Sequence, residues 1–302
     1  MGLFCLAQCA AASNITLGSI QGQDGWSGGA SGPISPSVDQ EVTNAAAYSG
    51  SQSLHVSNNG YNGAFGGWIF GPSLADAAGQ ASSGAPADRF ALSLWFMSVS
   101  TLADGSNLEI DLGNSTGDNR TTFTAITNFA DGSGGLALRA AEPDASGNFY
   151  PTSLVATGLS RTVWHRLDIT GFYFDGAAND YFQISLDGGP PIVSPNTSLS
   201  HWATFESYDA ALSGPYDLAS RIYLRSGAGP ISYLPSSSGT AGGFYIDDVS
   251  YQSWNSANPA AILSSYSTGF EDTSTAPEPA SVSMFAIGFG ALIFAVRRQA
   301  SS

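Results

Sequence analysis

Arg89-Phe-Ala-Leu-Ser-Leu-Trp-Phe-Met-Ser-Val99 is the most strongly alternating stretch of the chain. Successive side chains of a strand point to opposite faces, so Phe90, Leu92, Leu94 and Phe96 share one face, and Trp95, Met97 and Val99 the other. Apolar residues on both faces predict a strand covered on both sides, with Trp95 in the interior. Similar but shorter runs lie on either side of it: Ile15–Ile20, Gln52–Val56, Trp68–Phe70, Leu108–Leu112, Thr121–Ile126, Gly135–Arg139, Val163–Ile169, Tyr181–Leu186, Ile222–Arg225 and Phe244–Tyr251. Clusters of Gly, Asn, Asp and Pro separate them, including an Asp187-Gly188 turn. Only Ser73–Ala78 and Ala203–Leu212 read as helix candidates. Strands of this kind in series predict an all-β antiparallel sandwich over residues 13–254, with Trp164 as a second core tryptophan.

The composition supports a packed body. The 302 residues are 43% hydrophobic and 12% aromatic, enough for a real core, and 36 Gly and 15 Pro favour turns over helices. The net charge is −15, and all nine basic residues are Arg. Such a surface repels phosphate backbones, whose binding depends on Lys and Arg replacing counterions, so nucleic acid is excluded as a partner. The two Cys, Cys5 and Cys9, both precede the body, which therefore has neither a disulfide nor a thiolate metal site.

The two ends read as delivery signals. Residues 1–12 look like a partial signal peptide, with an apolar run and a small-residue cleavage site at Ala10–Ala12. Residues 255–276 are rich in Ser, Thr, Ala and Pro and read as a flexible linker. Residues 277–302 hold Pro277-Glu278-Pro279, an apolar stretch over 280–296, then Arg297 and Arg298. Seventeen residues at ~1.5 Å each make a helix of ~25 Å, just short of a ~30 Å hydrocarbon core. This predicts one short C-terminal transmembrane helix, its arginines at the cytoplasmic edge and the acidic body outside.

Pro-Glu-Pro, a short apolar helix and a terminal Arg pair, in that order, resemble the PEP-CTERM sorting signal of Gram-negative bacteria that produce exopolysaccharide. The resemblance implies processing by exosortase, a transient inner-membrane anchor through residues 280–296, and a final place at the cell surface or in the extracellular matrix. In the body, Gly22–Trp26, Ser49–Val56, Trp164–Ile169, Leu186–Gly188 and Tyr245–Val249 resemble bacterial concanavalin A-like and laminin-G-like sandwiches. The fold implied is a jelly-roll or concanavalin A-like sandwich. Ile246-Asp-Asp-Val249 is also similar to the closing strand of jelly-roll carbohydrate-binding modules, where the first Asp helps to hold a structural calcium. That position falls on Asp247.

Catalytic signatures are scarce. Laminarinase-type glycosidases of this fold carry Glu-x-Asp-x-x-Glu on one strand, and Glu109 and Asp111 match its first two carboxylates. Asn114 stands in the third position, which breaks the set. His55, His165 and His201 lack metal-ligand spacing, and His165, alternating with Trp164, reads as structural. There is no phosphate loop, dinucleotide fingerprint or nucleophile elbow. Aromatic faces stack on pyranose rings, and Trp68, Trp202, Tyr208 and Tyr216 sit in loop-like contexts as candidate glycan contacts. The sequence therefore leads to an exported, non-enzymatic sandwich that binds exopolysaccharide. A glycan hydrolase using Glu109 and a purely structural matrix protein are the alternatives.

Overall fold

The computed structural model describes residues 15–28, 40–57, 68–74, 87–113, 122–130, 132, 134–142, 153–174, 180–195, 198–204, 219–226, 242–258 and 262–272. All regular structure among these residues is strand. In chain order the first six strands are β1 (Gly18–Ser19), β2 (Ser27–Gly28), β3 (Gln40–Thr43), β4 (Ser53–Val56), β5 (Trp68–Phe70) and β6 (Arg89–Ser98). Then come β7 (Ser106–Gly113), β8 (Thr124–Asn128), β9 (Leu136–Ala140), β10 (Ser153–Leu159) and β11 (His165–Phe172). The last five are β12 (Tyr181–Leu186), β13 (Trp202–Ala203), β14 (Arg221–Ser226), β15 (Phe244–Trp254) and β16 (Ile262–Thr268).

These strands form two sheets. A nine-stranded sheet runs β1-β3-β4-β15-β6-β11-β12-β13, with β16 also paired to β15. A seven-stranded sheet runs β10-β9-β8-β7-β14-β5-β2. Phe90, Leu92, Leu94 and Phe96 of β6, with Leu167, Ile169, Phe182 and Ile184, pack in one core with Leu108, Ile110, Leu112, Ile126, Leu138, Ile222 and Leu224 from the other sheet. Each such side chain contributes about 1.5–3 kcal/mol by leaving water, against the entropy of ordering it.

Turn chemistry fits the residues that carry it. Asp187 and Gly188 both have positive φ, 52° and 72°, the backbone of a primed turn, and the Gly189 N–H donates to the Leu186 carbonyl at 2.9 Å. In β15 a bulge lies between Asp247 and Ser250, where Asp248 takes φ 45°. The extra residue lets Phe244 and Ile246 point inward before it and Val249 and Tyr251 after it.

The structure corrects several expectations. Only one face of β6 is in the core: Trp95 and Met97 are half-exposed on the outer face of the nine-stranded sheet, and Trp164 is half-exposed beside them. The strands buried on both faces are instead β7 and β8, every residue of which is buried. Residues 262–268, expected as linker, form β16 and pair with β15 from Val249 to Trp254. Its Ser-rich composition suits a strand with one wet face, and composition alone hid it.

The following turn is equally tied down. Phe270 is buried 5.6 Å from Trp26, and the Glu271 carboxylate accepts the Ser51 and Gln52 N–H groups at 2.7 and 2.9 Å. Where helices were expected, Ser73 and Leu74 are irregular and Ala203 is in β13; the remainder of both segments, apart from Thr204, lies outside the described residues.

The chain divides into two units, Met1–Glu271 and Asp272–Ser302. The expected signal peptide and transmembrane segment lie outside the described residues. Among the described residues no helix is long and apolar enough to cross a membrane.

The central place of β6 is testable. Leu94→Ala is expected to cost about 2–5 kcal/mol in urea unfolding, because a fully buried leucine leaves a cavity that packed sheets cannot close. A loss below about 0.5 kcal/mol, the usual size of a surface substitution effect, would contradict the core assignment.

Candidate functional site

The outer face of the seven-stranded sheet is where strand alternation has placed charge. Leu108, Ile110 and Leu112 of β7 point into the core, so Asn107, Glu109 and Asp111 point outward. In β14 the inward residues are Ile222 and Leu224, and the outward ones are Arg221, Tyr223 and Arg225. The register then sets Arg225 opposite Glu109 and Tyr223 opposite Asp111. On the far side of β7, Glu109 faces Ala125, which in turn faces Arg139 of β9. On the far side of β14, Tyr223 faces Phe70 and Arg225 faces Trp68.

Four groups at the centre of this face are withdrawn from water, while Arg139 and Arg221 are partly exposed. Glu109 is 3% exposed, Asp111 and Tyr223 are fully buried, and Arg225 is 1% exposed. An Arg225 Nη1 lies 4.0 Å from a Glu109 carboxylate oxygen. Asp111 accepts the Thr124 N–H at 3.3 Å, and the Arg139 Nε–H donates to the Thr127 hydroxyl at 3.3 Å. Phe70 and Tyr223, 4.6 Å apart, form a small apolar cluster of their own. The Arg221 guanidinium lies over both rings, 4.2 Å from Phe70 and 5.5 Å from Tyr223.

Charged side chains are almost never fully buried unless paired, and removing a pair from water costs several kcal/mol per ion. Sheet stability is better served by apolar residues, so a retained set of two carboxylates, a phenol and a guanidinium on adjacent strands marks a functional candidate. Its groups can give and take protons and can hold an anion. Three of the chain's arginines, Arg139, Arg221 and Arg225, stand on this one face of a body that is otherwise strongly acidic.

The residues expected from sequence scatter. Trp68 is in β5, in register with Arg225, so it belongs to this sheet and not to a loop. Trp202 is in β13 and packs in the core near Phe182, not in a loop. Tyr208, Tyr216, Pro277, Glu278, Pro279, Arg297 and Arg298 lie outside the described residues. His165 is held by Asp187 at 2.8 Å and by the Ser160 carbonyl at 3.1 Å. Sequence reasoning placed Glu109 and Asp111 on one face but missed Tyr223 and Arg225. The alternation of Arg221-Ile-Tyr-Leu-Arg225, with every second residue polar or phenolic, was the available signal.

Asp247, the expected calcium position, lies at the β15 bulge. One carboxylate oxygen accepts the Tyr48 and Ser49 N–H groups at 2.7 and 3.1 Å, and the other accepts the Asp248 N–H at 2.7 Å. The group thereby clamps the 44–52 connection onto the β15 bulge. Burial outweighs these donors and pushes its carboxyl up to about 7. Among the described residues no group of three or more His, Cys, Asp or Glu side chains is placed to hold a metal ion.

No protein-family model matches the chain, and no curated protein matches it. Solved structures do. An alginate lyase variant in complex with an alginate trisaccharide is 13% identical over 76% of this chain and 88% of its own, with a TM-score of 0.46. An alginate lyase of Pseudomonas aeruginosa is 12% identical over 67% and 82%, at 0.39. One from Chlorella virus is 12% identical over 71% and 90%, at 0.40. The expectation of a non-enzymatic body is corrected here: the outer face of the seven-stranded sheet buries two carboxylates, a phenol and a guanidinium on paired strands, a set that no linear motif announced.

The setting of Asp247 has a measurable consequence. A folded-state value above the unfolded one means that the native state holds the proton more tightly, so the stability contributed is complete below about pH 4 and is lost as pH rises through about 7. The melting temperature is expected to fall between pH 5 and pH 8, and Asp247→Asn to flatten that fall. An unchanged slope in the variant would remove Asp247 as its source.

Proposed function

We propose that this chain is a polysaccharide-degrading enzyme whose reaction takes place on the outer face of the seven-stranded sheet. The observation that carries the reading is the buried set Glu109, Asp111, Tyr223 and Arg225, assembled across β7 and β14. The placement of Arg139, Arg221 and Arg225 on that one face suits a substrate bearing carboxylates. The alginate lyases to which the chain is similar support the same direction, since alginate is an acidic polysaccharide.

The chemistry that fits is β-elimination. Arg225 holds the uronate carboxylate and so makes the neighbouring carbon–hydrogen bond more acidic. A base removes that proton, a carbon–carbon double bond forms, and the bond to the leaving glycosidic oxygen breaks. That oxygen takes a proton from an acid, and no water is consumed. Tyr223, between Arg221 and Arg225 on the outer face of β14, is the residue placed to exchange these protons. Glu109 positions the guanidinium of Arg225. Hydrolysis is the second reading, favoured by Glu109 and Asp111 standing two residues apart on one face. It requires carboxyls separated by roughly 5 Å, or by 6.5–9.5 Å when a water sits between them.

Delivery belongs to the same proposal. With residues 277–298 as a PEP-CTERM signal and exosortase as the processing partner, the enzyme works outside the cell, at the surface or in the matrix, where exopolysaccharide is its substrate.

Incubation with polyuronates and with neutral β-glucans separates these readings. Elimination releases reducing ends together with the ultraviolet absorbance of an unsaturated uronate, and Tyr223→Phe is expected to lower that rate about 100-fold or more. Reducing ends without absorbance would establish hydrolysis in its place. Release from no substrate would overturn the enzymatic reading.

A further inference from the structure

We propose that the outer face of the nine-stranded sheet is a second polysaccharide-binding surface, one that holds the chain without reacting with it. The inference rests on the reading above that the protein acts on polysaccharide, and concerns the opposite side of the sandwich. Two aromatic clusters bracket this face. At one end Trp254, Arg89, Phe172 and Tyr181 lie in register across β15, β6, β11 and β12. Phe172 and Tyr181 stack at 4.5 Å and 17°. The Arg89 guanidinium lies 4.9 Å from the Phe172 ring and 4.7 Å from that of Phe174, which is 41% exposed.

At the other end Tyr48 stacks on Trp95 at 3.7 Å and 14°, and Trp164 meets Tyr48 edge-on at 6.1 Å. Tyr48 is 42% exposed. Asp247, directly across from Trp95, accepts the Tyr48 N–H and so fixes the backbone that carries this ring.

The surface between the clusters is polar and small. Arg89 and Trp95 are six residues apart on β6, about 20 Å along a strand. In that interval the outward residues include Ser93, Asp168, Thr170 and Gln183, and Arg166 donates to the Ser93 hydroxyl at 3.1 Å and to Asp168 at 2.8 Å. Aromatic platforms at both ends of a track of hydroxyls, an amide and a charged pair match an extended, hydroxyl-rich chain. Pyranose rings present C–H faces to the aromatics and hydroxyls to the track. A flat apolar partner would leave Arg166, Asp168 and the hydroxyls buried without water. A second copy of this chain would bring together two bodies of strong negative charge.

Affinity electrophoresis of the full chain through gels containing polyuronate or mixed-linkage β-glucan tests the proposal. Tyr48→Ala and Phe174→Ala change exposed rings at opposite ends of the face, and each is expected to weaken retardation about five-fold or more, the size of a lost base-type stacking contact. Degradation of short oligosaccharides should stay unchanged in both variants. Tyr223→Phe, which removes the proposed proton carrier on the other face, should be retarded as wild type. Wild-type retardation in both ring variants overturns the proposal while leaving the enzymatic reading intact. Retardation that depends on Tyr48 and Phe174 in a protein that degrades nothing supports this surface and sinks the other. Sedimentation showing a dimer that Tyr48→Ala dissolves would assign the face to a second copy and overturn the glycan reading.

Discussion

Arg225 and Glu109 face each other across β14 and β7 with almost no exposure, and holding such a pair out of water costs several kcal/mol per ion before their attraction is counted. That cost shapes the seven-stranded sheet. Its central strand β7 is buried on both faces, apolar toward the core and polar away from it, which an ordinary antiparallel sheet with one wet face does not require. The large core between the sheets is what makes such a face affordable. Apolar side chains from both sheets meet there, and the outward groups are held in place by strands that the core fixes.

The two sheets therefore differ in kind. The nine-stranded sheet presents a half-exposed outer surface of aromatics and small polar groups, whereas the seven-stranded sheet hides Glu109, Asp111 and Arg225 among its outward charges. A reacting surface benefits from exclusion of water, because electrostatic interactions strengthen in a low dielectric. A holding surface benefits from exposure, since a long chain must reach it. One sandwich offers both environments, and they are on opposite sides.

Much of the fold was legible because alternation is local. Arg89–Val99 reads as a strand, and the run from Leu108 to Leu112 puts Glu109 and Asp111 on one face without any knowledge of the partner strands. Which face is covered is not local. Trp95 looked interior because its own strand is apolar on both sides, yet it lies on the outer face under Tyr48, while Trp202, in a loop-like context, is in the core. Residues 262–268 looked like linker because Ser and Thr dominate them, although every second position needed only one buried neighbour to pair with β15. The candidate site was the hardest part. Tyr223 and Arg225 meet Asp111 and Glu109 only through antiparallel register between strands far apart in sequence. A search for linear motifs finds no such set, and Asn114 in place of a third carboxylate leaves Glu109 only as an alternative reading.

The most direct test is a crystal structure of the Tyr223→Phe protein soaked with a uronate oligosaccharide. The expected result is a sugar lying across β7 and β14, with a uronate carboxylate on Arg225 and the cleavable linkage next to position 223. An oligosaccharide bound only elsewhere, with Glu109, Asp111 and Arg225 untouched by sugar, would contradict the assignment of this face as the reacting surface.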